Sequence, residues 1–329
     1  MPIILIGIFL RKNMAILILI FLTFISSLQT LFCSLFEKKY VGLKNNASSV
    51  FCVIEGLFVP LLTLAWICFE FIVSENQVAV SYVGLNFDIS LFGIIVGIIN
   101  AVVLFSYNTY LIKASSTGSY AFMNVLMLFG GIIIPILYTA LFFYEKISFY
   151  QIFAIFLMLV AFVLMNYKDI KLKGTPLKYY IYCLILFFAN GAYGTLLKVQ
   201  SNHNESEVNE MIIITYLLMG VLAFLKLVFT YKKDTFKVFI VGKQAIMPLV
   251  LCIVCVALAM NVIALVLPLI DASVFYTVNN GGVLVLASIY SIMLFKEKPQ
   301  FLKIIGIIIA VISIVILSIP GEIMKNIFI

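Results

Sequence analysis

The sequence predicts an all-α polytopic membrane protein with ten transmembrane helices, arranged as two inverted repeats of five helices each. The composition is the first observation behind this prediction. Of the 329 residues, 64% are hydrophobic and 11% are charged, whereas a soluble domain carries about 25% charged residues. A compact fold of this chain would lack the polar surface that water requires. No long hydrophilic stretch remains that could form a separate soluble domain.

The second observation is a series of apolar segments, each close to the roughly 20 residues that a helix needs to cross the bilayer. Backbone groups in lipid must be bonded internally, and the segments are too long and too uniformly apolar for barrel strands. We therefore interpret each one as a helix. The predicted spans are 14–36, 47–73, 89–112, 119–143, 148–166, 178–198, 210–231, 244–267, 271–295 and 300–319.

The third observation is an internal repeat. A shift of 152 residues aligns three pairs and one dipeptide: Gly130 with Gly282, Tyr138 with Tyr290, Phe143 with Phe295, and Glu145-Lys146 with Glu297-Lys298. Each half then holds five spans, so the second half must enter the membrane from the opposite side, as in many secondary transporters. The predicted domains are an N-terminal segment 1–13, a first repeat 14–170, a second repeat 171–320 and a C-terminal tail 321–329.

The segment that follows the fourth span of each repeat carries a family resemblance. In the first half it reads Phe143-Tyr144-Glu145-Lys146-Ile147-Ser148 with Gln151, and in the second half Phe295-Lys296-Glu297-Lys298-Pro299 with Gly306. The chain resembles the drug/metabolite transporter superfamily in its ten-span EamA-type form, from about residue 14 to 319. The resemblance implies a secondary transporter but does not identify the substrate.

These observations predict a secondary active transporter that moves a small polar or charged metabolite across the plasma membrane by alternating access, with proton coupling as an option. The alternative is a flippase, or an accessory subunit, for a lipid-linked precursor. The sequence contains no nucleotide-binding P-loop and no catalytic set, so we predict no enzyme, no cofactor and no metal. The expected partners are a small-molecule substrate and membrane lipid, without nucleic acid, and the expected assembly is a monomer or homodimer.

Glu55 is the sharpest candidate for a functional residue. It lies about eight residues into the second span, which is roughly 12 Å of helix, and a charge in hydrocarbon is costly. Small and polar residues accompany it at helical spacing: Ser48, Cys52, Thr63, Trp66 and Glu70. Its carboxylate could bind a cation or, when protonated, carry a proton. If span two starts later, Glu55 instead lies near the interface.

Amides and tyrosines within the spans form a second group of candidates for substrate binding. An amide in lipid needs a partner, so these residues face either protein or a cavity, and hydrogen bonding between helices is the simpler explanation. Tyrosines could hold an organic cation by cation–π attraction. The candidates besides Glu55 are Asn100, Tyr107, Asn124, Asn190, Tyr193, Tyr276, Asn279 and Asn280.

Several remaining polar residues are expected to have structural roles. Lys198 and Lys226 lie at span ends, where we expect them to extend to the interface. Glu145 and Glu297 are expected to be solvated loop charges, and His203 to lie in a polar loop. All six cysteines fall in apolar segments and are expected to pack as small apolar residues.

Most of the 21 lysines and arginines lie in the loops after the odd-numbered spans. Because cytoplasmic loops are enriched in these residues, the count predicts both termini outside the cell. The family resemblance, together with Arg11-Lys12, instead favours termini in the cytoplasm.

Overall fold

A computed structural model describes residues 2–40, 47–75, 89–115, 117–167, 176–294 and 301–318. Across these ranges the chain is helical and contains no strand, which confirms the predicted all-α polytopic membrane fold. The ten α-helices are α1 (Pro2–Lys39), α2 (Ala47–Glu75), α3 (Leu91–Ser115), α4 (Tyr120–Phe142), α5 (Phe149–Asn166), α6 (Leu177–His203), α7 (Val208–Tyr231), α8 (Lys243–Val266), α9 (Ala272–Leu294) and α10 (Phe301–Ser318).

Helices α1 to α9 are long and apolar enough to cross a membrane, and the apolar part of α10, Phe301–Leu317, is shorter. Large apolar side chains on these helices face outward, such as Phe149, which is 85% exposed, and Leu17, which is 66% exposed. An apolar exterior of this kind suits lipid and would be unfavourable in water.

Two helix ends differ from the predicted spans by more than three residues. Helix α1 continues back to Pro2, through the predicted N-terminal segment. Helix α6 runs to His203, more than one turn past the predicted end at residue 198. A short 3-10 helix, Glu205–Glu207, then leads into α7, and another, Lys232–Phe239, precedes α8.

The chain divides into two compact units. Unit 1 contains residues 1–27, 113–195 and 266–329, and unit 2 contains residues 28–112 and 196–265. Unit 1 therefore holds α4, α5, α9 and α10 with the first parts of α1 and α6. Unit 2 holds α2, α3, α7 and α8 with the remaining parts of α1 and α6. Each unit takes helices from both halves of the sequence.

The core of unit 1 is built where α5 packs along α10. Gly306 of α10 faces Met165 and the carbonyl of Ala161, at a distance that leaves no room for a side chain. Farther along the pair, the hydroxyl of Ser313 donates to the carbonyl of Ala154 at 2.6 Å. The two helices can thus approach closely along their length, and apolar side chains of α4 and α9 complete the core.

Unit 2 is organised by the contact between α2 and α7. A Cβ placed on Gly56 would lie 2.5 Å from the Cα of Gly220, so the two backbones meet at this pair of glycines. Helix α3 joins the same packing, since the hydroxyl of Thr215 in α7 donates to the carbonyl of Gly97 at 3.3 Å.

Glu145, in the turn between α4 and α5, is not the solvated loop charge that the sequence predicted. Glu145 is half-buried, and its Oε2 accepts the backbone N–H of Ala272 at 3.0 Å. Glu145 thus supplies an acceptor to the first turn of α9, where backbone donors lack partners and negative charge is favourable. The corresponding Glu297, with the rest of 295–299, lies outside the described residues.

Candidate functional site

The predicted site residues fall into two sets, one in each unit. Unit 2 contains three of them: Glu55, Asn100 and Tyr107. Unit 1 contains the other six: Asn124, Asn190, Tyr193, Tyr276, Asn279 and Asn280. The sets are described separately below.

Glu55 lies inside unit 2 and is only 5% exposed. Its helix begins at Ala47, so the side chain lies about two turns after the start of α2. Within the described residues its carboxyl group forms no hydrogen bond and no ion pair. A carboxyl group in this position is costly as an anion unless a cation or a proton neutralises it.

The polar stripe predicted on α2 faces the interior of unit 2. Cys52 and Thr63 are buried together with Glu55, and the hydroxyl of Thr63 accepts the side-chain amide of Asn261 in α8 at 3.3 Å. Glu55 is within electrostatic range of the Cys52 and Cys252 thiols. The side chain of Glu70, the last member of the stripe, lies outside the described residues.

A small cavity adjoins the first turns of α2. Its volume is about 30 Å³, which is enough for one or two water molecules. Ser48 and Asn108 provide its polar lining, and Cys33 and Phe36 of α1 are among the remaining lining residues. The hydroxyl of Ser48 also donates to the Asn108 carbonyl at 3.3 Å. The stripe on α2 thus begins beside a polar space.

In unit 1, the amides of Asn190 and Asn280 bind backbone carbonyls of α4. Asn190 Nδ2 donates to the Met127 carbonyl at 2.9 Å, and Asn280 Nδ2 donates to the Gly131 carbonyl at 3.2 Å. The second acceptor has a cause in the sequence. Pro135 lies four residues after Gly131 in α4 and has no N–H, so the Gly131 carbonyl lacks its partner within the helix. Asn280 supplies that partner.

Tyr276 is held by α6. Its hydroxyl donates to the Gly194 carbonyl at 2.5 Å, and a Cβ on Gly194 would lie 2.8 Å from the Tyr276 ring. Tyr193 is half-buried and within electrostatic range of Tyr276. Two of the predicted tyrosines are therefore neighbours, but the hydroxyl of Tyr276 is engaged with the backbone.

The other predicted asparagines, Asn100, Asn124 and Asn279, each have a side-chain group without a hydrogen-bond partner among the described residues. Asn124 is half-buried and forms no side-chain hydrogen bond within the described part of the chain. Among the described residues, Asn279 Oδ1 is buried without a donor, and so is Asn100 Oδ1 in unit 2. Tyr107 is half-buried and has contacts of its own.

The sequence analysis missed a polar cluster at the end of α6. Lys198 is only 3% exposed and does not extend to the interface as expected, because α6 continues beyond it to His203. His203, expected in a loop, is the last residue of α6, and its ring packs on Phe92 at a centroid distance of 4.2 Å. Glu207 and Glu210 are buried as well. The signal was present as a run of amides, serines and glutamates from 200 to 210, which resembles a loop by composition.

Lys226 is half-exposed, with its ammonium group 5.6 Å from the centre of the Phe105 ring. The described cysteines are all free thiols. Among the described residues, no group of three or more His, Cys, Asp or Glu side chains is arranged to hold a metal.

Comparisons with known proteins give a family match over part of the chain and a structural match over nearly all of it. A family model described as "Small Multidrug Resistance protein" matches residues 234–310, from the 3-10 helix before α8 to the middle of α10. A solved structure titled "Crystal structure of protein" matches with a TM-score of 0.69 and 14% identity, over 93% of this chain and 97% of that chain. No curated protein sequence matches. The family match and the apolar helices support a multi-pass membrane protein of a small-molecule transporter family.

Proposed function

We propose that this chain is a secondary active transporter that carries a small polar or charged metabolite across the plasma membrane by alternating access. The buried carboxyl group of Glu55 is the observation that supports this proposal most directly. A protein that only packed helices in lipid would gain nothing from an unpaired carboxyl group at this depth, and such groups are typical of ion and proton pathways.

We propose further that the two halves are inverted EamA-type repeats, 14–170 and 171–320. Two facts support this assignment. Contacts join helices that the repeat makes equivalent, namely α2 with α7, α4 with α9 and α5 with α10. Each unit also combines equivalent helices, such as α2 and α7 in unit 2. A two-fold relation between the halves would produce this pattern.

In the proposed mechanism, Glu55 alternates between a neutral and a charged state. The neutral form suits the dry interior, whereas the charged form requires a cation or water. A substrate cation and a proton would therefore compete for the same carboxyl group. Within unit 1, considered by itself, the proposed polar contacts are Asn124 and Asn279, whose amide groups have free bonding capacity among the described residues.

The experiment begins with the purified protein in detergent and a thermal-shift screen against free amino acids, choline, sugars and ethidium. The compound that stabilises most is then followed into proteoliposomes with and without an imposed pH gradient. We expect the gradient to drive accumulation. We expect Glu55→Gln, which keeps the shape but cannot lose a proton, to abolish that accumulation.

Glu205→Gln is the matched control, because Glu205 is an exposed glutamate outside the α2 stripe. It should transport like the unmodified protein. Transport and pH dependence that are unchanged in Glu55→Gln would show that the coupling role of Glu55 is wrong. Failure of every compound to bind or move would count against a small-molecule transporter.

A further inference from the structure

The short segment between α6 and α7 in unit 2 holds a carboxylate with a full set of donors. Glu207 Oε2 accepts the Ser90 hydroxyl at 2.6 Å and Gln200 Nε2 at 3.2 Å. Glu207 Oε1 accepts Asn204 Nδ2 at 2.8 Å. Three neutral donors satisfy the oxygens and fix the carboxylate, but they do not cancel its negative charge.

Other side-chain oxygens of residues 200–210 have no donor in the described part of the chain. Three of them are Gln200 Oε1, Ser201 Oγ and Glu210 Oε2, each buried and without a hydrogen-bond partner among the described residues. Gln200 is fully buried, and Glu210 is 9% exposed. Buried oxygens of this kind are rare in folded proteins, and each calls for a partner.

The unpaired oxygens belong to side chains of one short stretch of the chain, from the last turn of α6 to the first turn of α7. Gln200 contacts Glu207 directly, and Glu210 lies three residues after Glu207 on the same face of the helical segment. The two glutamates are within electrostatic range of each other. Gln200 and Ser201 occupy the last turn of α6, which ends at His203, and the C-terminal end of a helix favours a cation.

No ion pair within the described residues offsets these glutamates, since neither Glu207 nor Glu210 forms one. Lys198, one turn earlier in α6, has an interaction of its own. The first turn of α7 favours negative charge, yet it leaves Glu210 Oε2 without a donor. Glu207 and Glu210 therefore bring negative charge to a stretch whose buried oxygens lack donors among the described residues.

We propose that this segment binds a monovalent alkali cation, with Na⁺ as the probe. The ligands are Glu210 Oε2, Gln200 Oε1 and Ser201 Oγ, and Glu207 supplies a fixed negative charge beside them. Only one of the three ligands is a carboxylate, which suits a monovalent cation better than Ca²⁺, whose affinity depends on the ligand charge count. An all-oxygen set is also unlike the nitrogen and sulfur ligands that Zn²⁺ and Cu²⁺ prefer.

The test measures the Tm of the full-length protein in detergent as NaCl replaces N-methylglucamine chloride at constant ionic strength. Binding to the folded state alone raises the Tm by an amount that grows with ligand concentration. We expect a rise of about 3–6 °C at a Na⁺ concentration hundredfold above the Kd. Equilibrium binding of ²²Na⁺ to the same preparation should show one site per chain.

Glu210→Gln should abolish both the Tm rise and ²²Na⁺ binding, whereas Glu205→Gln should keep both. Ser201→Ala removes one ligand and leaves both carboxylates, so it should raise the half-saturating Na⁺ concentration severalfold. This variant keeps the test decisive if Glu210→Gln fails to fold. An unmodified protein with neither a Na⁺-specific shift nor ²²Na⁺ binding would overturn the proposal.

Two further outcomes would also overturn it. One is a Glu210→Gln variant that responds to Na⁺ like the unmodified protein. The other is stabilisation by acid alone, which would assign a proton to Glu210. The readout requires no transport, and Glu55→Gln should keep the Na⁺ response. The cation site and the proposed transport function can therefore fail independently.

Discussion

At the scale of single residues, the polar side chains of unit 1 compensate for a defect in α4. Pro135 withholds an N–H from the Gly131 carbonyl, and Asn280 donates to that carbonyl from α9 at 3.2 Å. An unsatisfied carbonyl in an apolar interior is unfavourable. Asn280 therefore has a structural reason to be present, whether or not it also contacts a substrate.

This relation predicts coupling between Asn280 and Pro135. Asn280→Leu should lower the free energy of unfolding by about 1 kcal/mol. In a Pro135→Ala background the same change should cost much less, because an alanine at this position can donate its own N–H to the Gly131 carbonyl. The measurement is SDS-induced unfolding of the four proteins of the cycle.

Asn124→Leu is the matched control for this cycle, since Asn124 has no side-chain hydrogen bond in the described part of the chain. It should cost less than Asn280→Leu and should not depend on Pro135. If Asn280→Leu lowered the free energy of unfolding equally with Pro135 and with Ala at that position, the pairing of Asn280 with the Gly131 carbonyl would be contradicted.

Sequence reasoning could identify Glu55 because a charge stands out in an apolar run. It could not tell which asparagines were engaged, since Asn190 and Asn124 look alike in the sequence. Only the structure brings Asn190 to the Met127 carbonyl and leaves Asn124 without a hydrogen bond in the described part of the chain. Lys198 was misplaced for a related reason, because its burial depends on where α6 ends.

At the scale of helices, the apolar runs predicted all ten elements, and the largest errors were the start of α1 and the end of α6. Helix ends follow from side-chain bonding as much as from hydropathy. The polar residues 200–207 bond to one another, as when Gln200 and Asn204 bind Glu207. They can therefore be buried in a helical segment despite a composition typical of a loop.

The turn after α4 predicts a stabilising substitution. Tyr144 has φ of 54°, in the left-handed region that is unfavourable for residues with a Cβ, and its ring is largely exposed. Tyr144→Gly should raise the free energy of unfolding by about 0.5–1 kcal/mol. Thermal unfolding in detergent measures the change.

Tyr144→Ala separates the backbone effect from loss of the ring. Alanine retains the Cβ, so this variant should be no more stable than the unmodified protein. A Tyr144→Gly protein less stable than Tyr144→Ala would show that the turn does not carry the expected strain.

The contact between α2 and α7 predicts that alanine at either of its two glycines destabilises the protein, but by different amounts. A Cβ on Gly56 would lie 2.5 Å from Gly220 Cα, whereas a Cβ on Gly220 would lie 3.0 Å from Gly56 Cα. Gly56→Ala should therefore destabilise the protein by about 1–3 kcal/mol, and Gly220→Ala by less. SDS-induced unfolding compares the two variants.

Leu57→Ala serves as the control, because Leu57 is adjacent in sequence but largely exposed. Its effect should be small. If Gly56→Ala were no worse than Leu57→Ala, the close approach of the two backbones would be refuted.

At the scale of the whole molecule, the units do not coincide with the halves of the sequence. Residues 28–112 and 196–265 together form unit 2, and unit 1 is likewise assembled from both halves. The sequence suggested the order of helices and a boundary near residue 170. It could not reveal that each unit takes helices from both halves, because the pairing of α2 with α7 depends on contacts between segments far apart in the chain.

Because each unit takes helices from both halves, we can predict what happens when the chain is produced as two fragments divided at residue 170. Fragment 1–170 contains α2 without α7 and α5 without α10, so it lacks the main packing partner of each helix. We expect either fragment alone to aggregate after extraction in detergent, and the two fragments produced together to purify as one complex. Size-exclusion chromatography with a tag on one fragment measures the association. The contrary result would be a fragment 1–170 that is monodisperse and unfolds cooperatively by itself. The partner helices from the second half would then be dispensable, and the first half would be an independent folding unit.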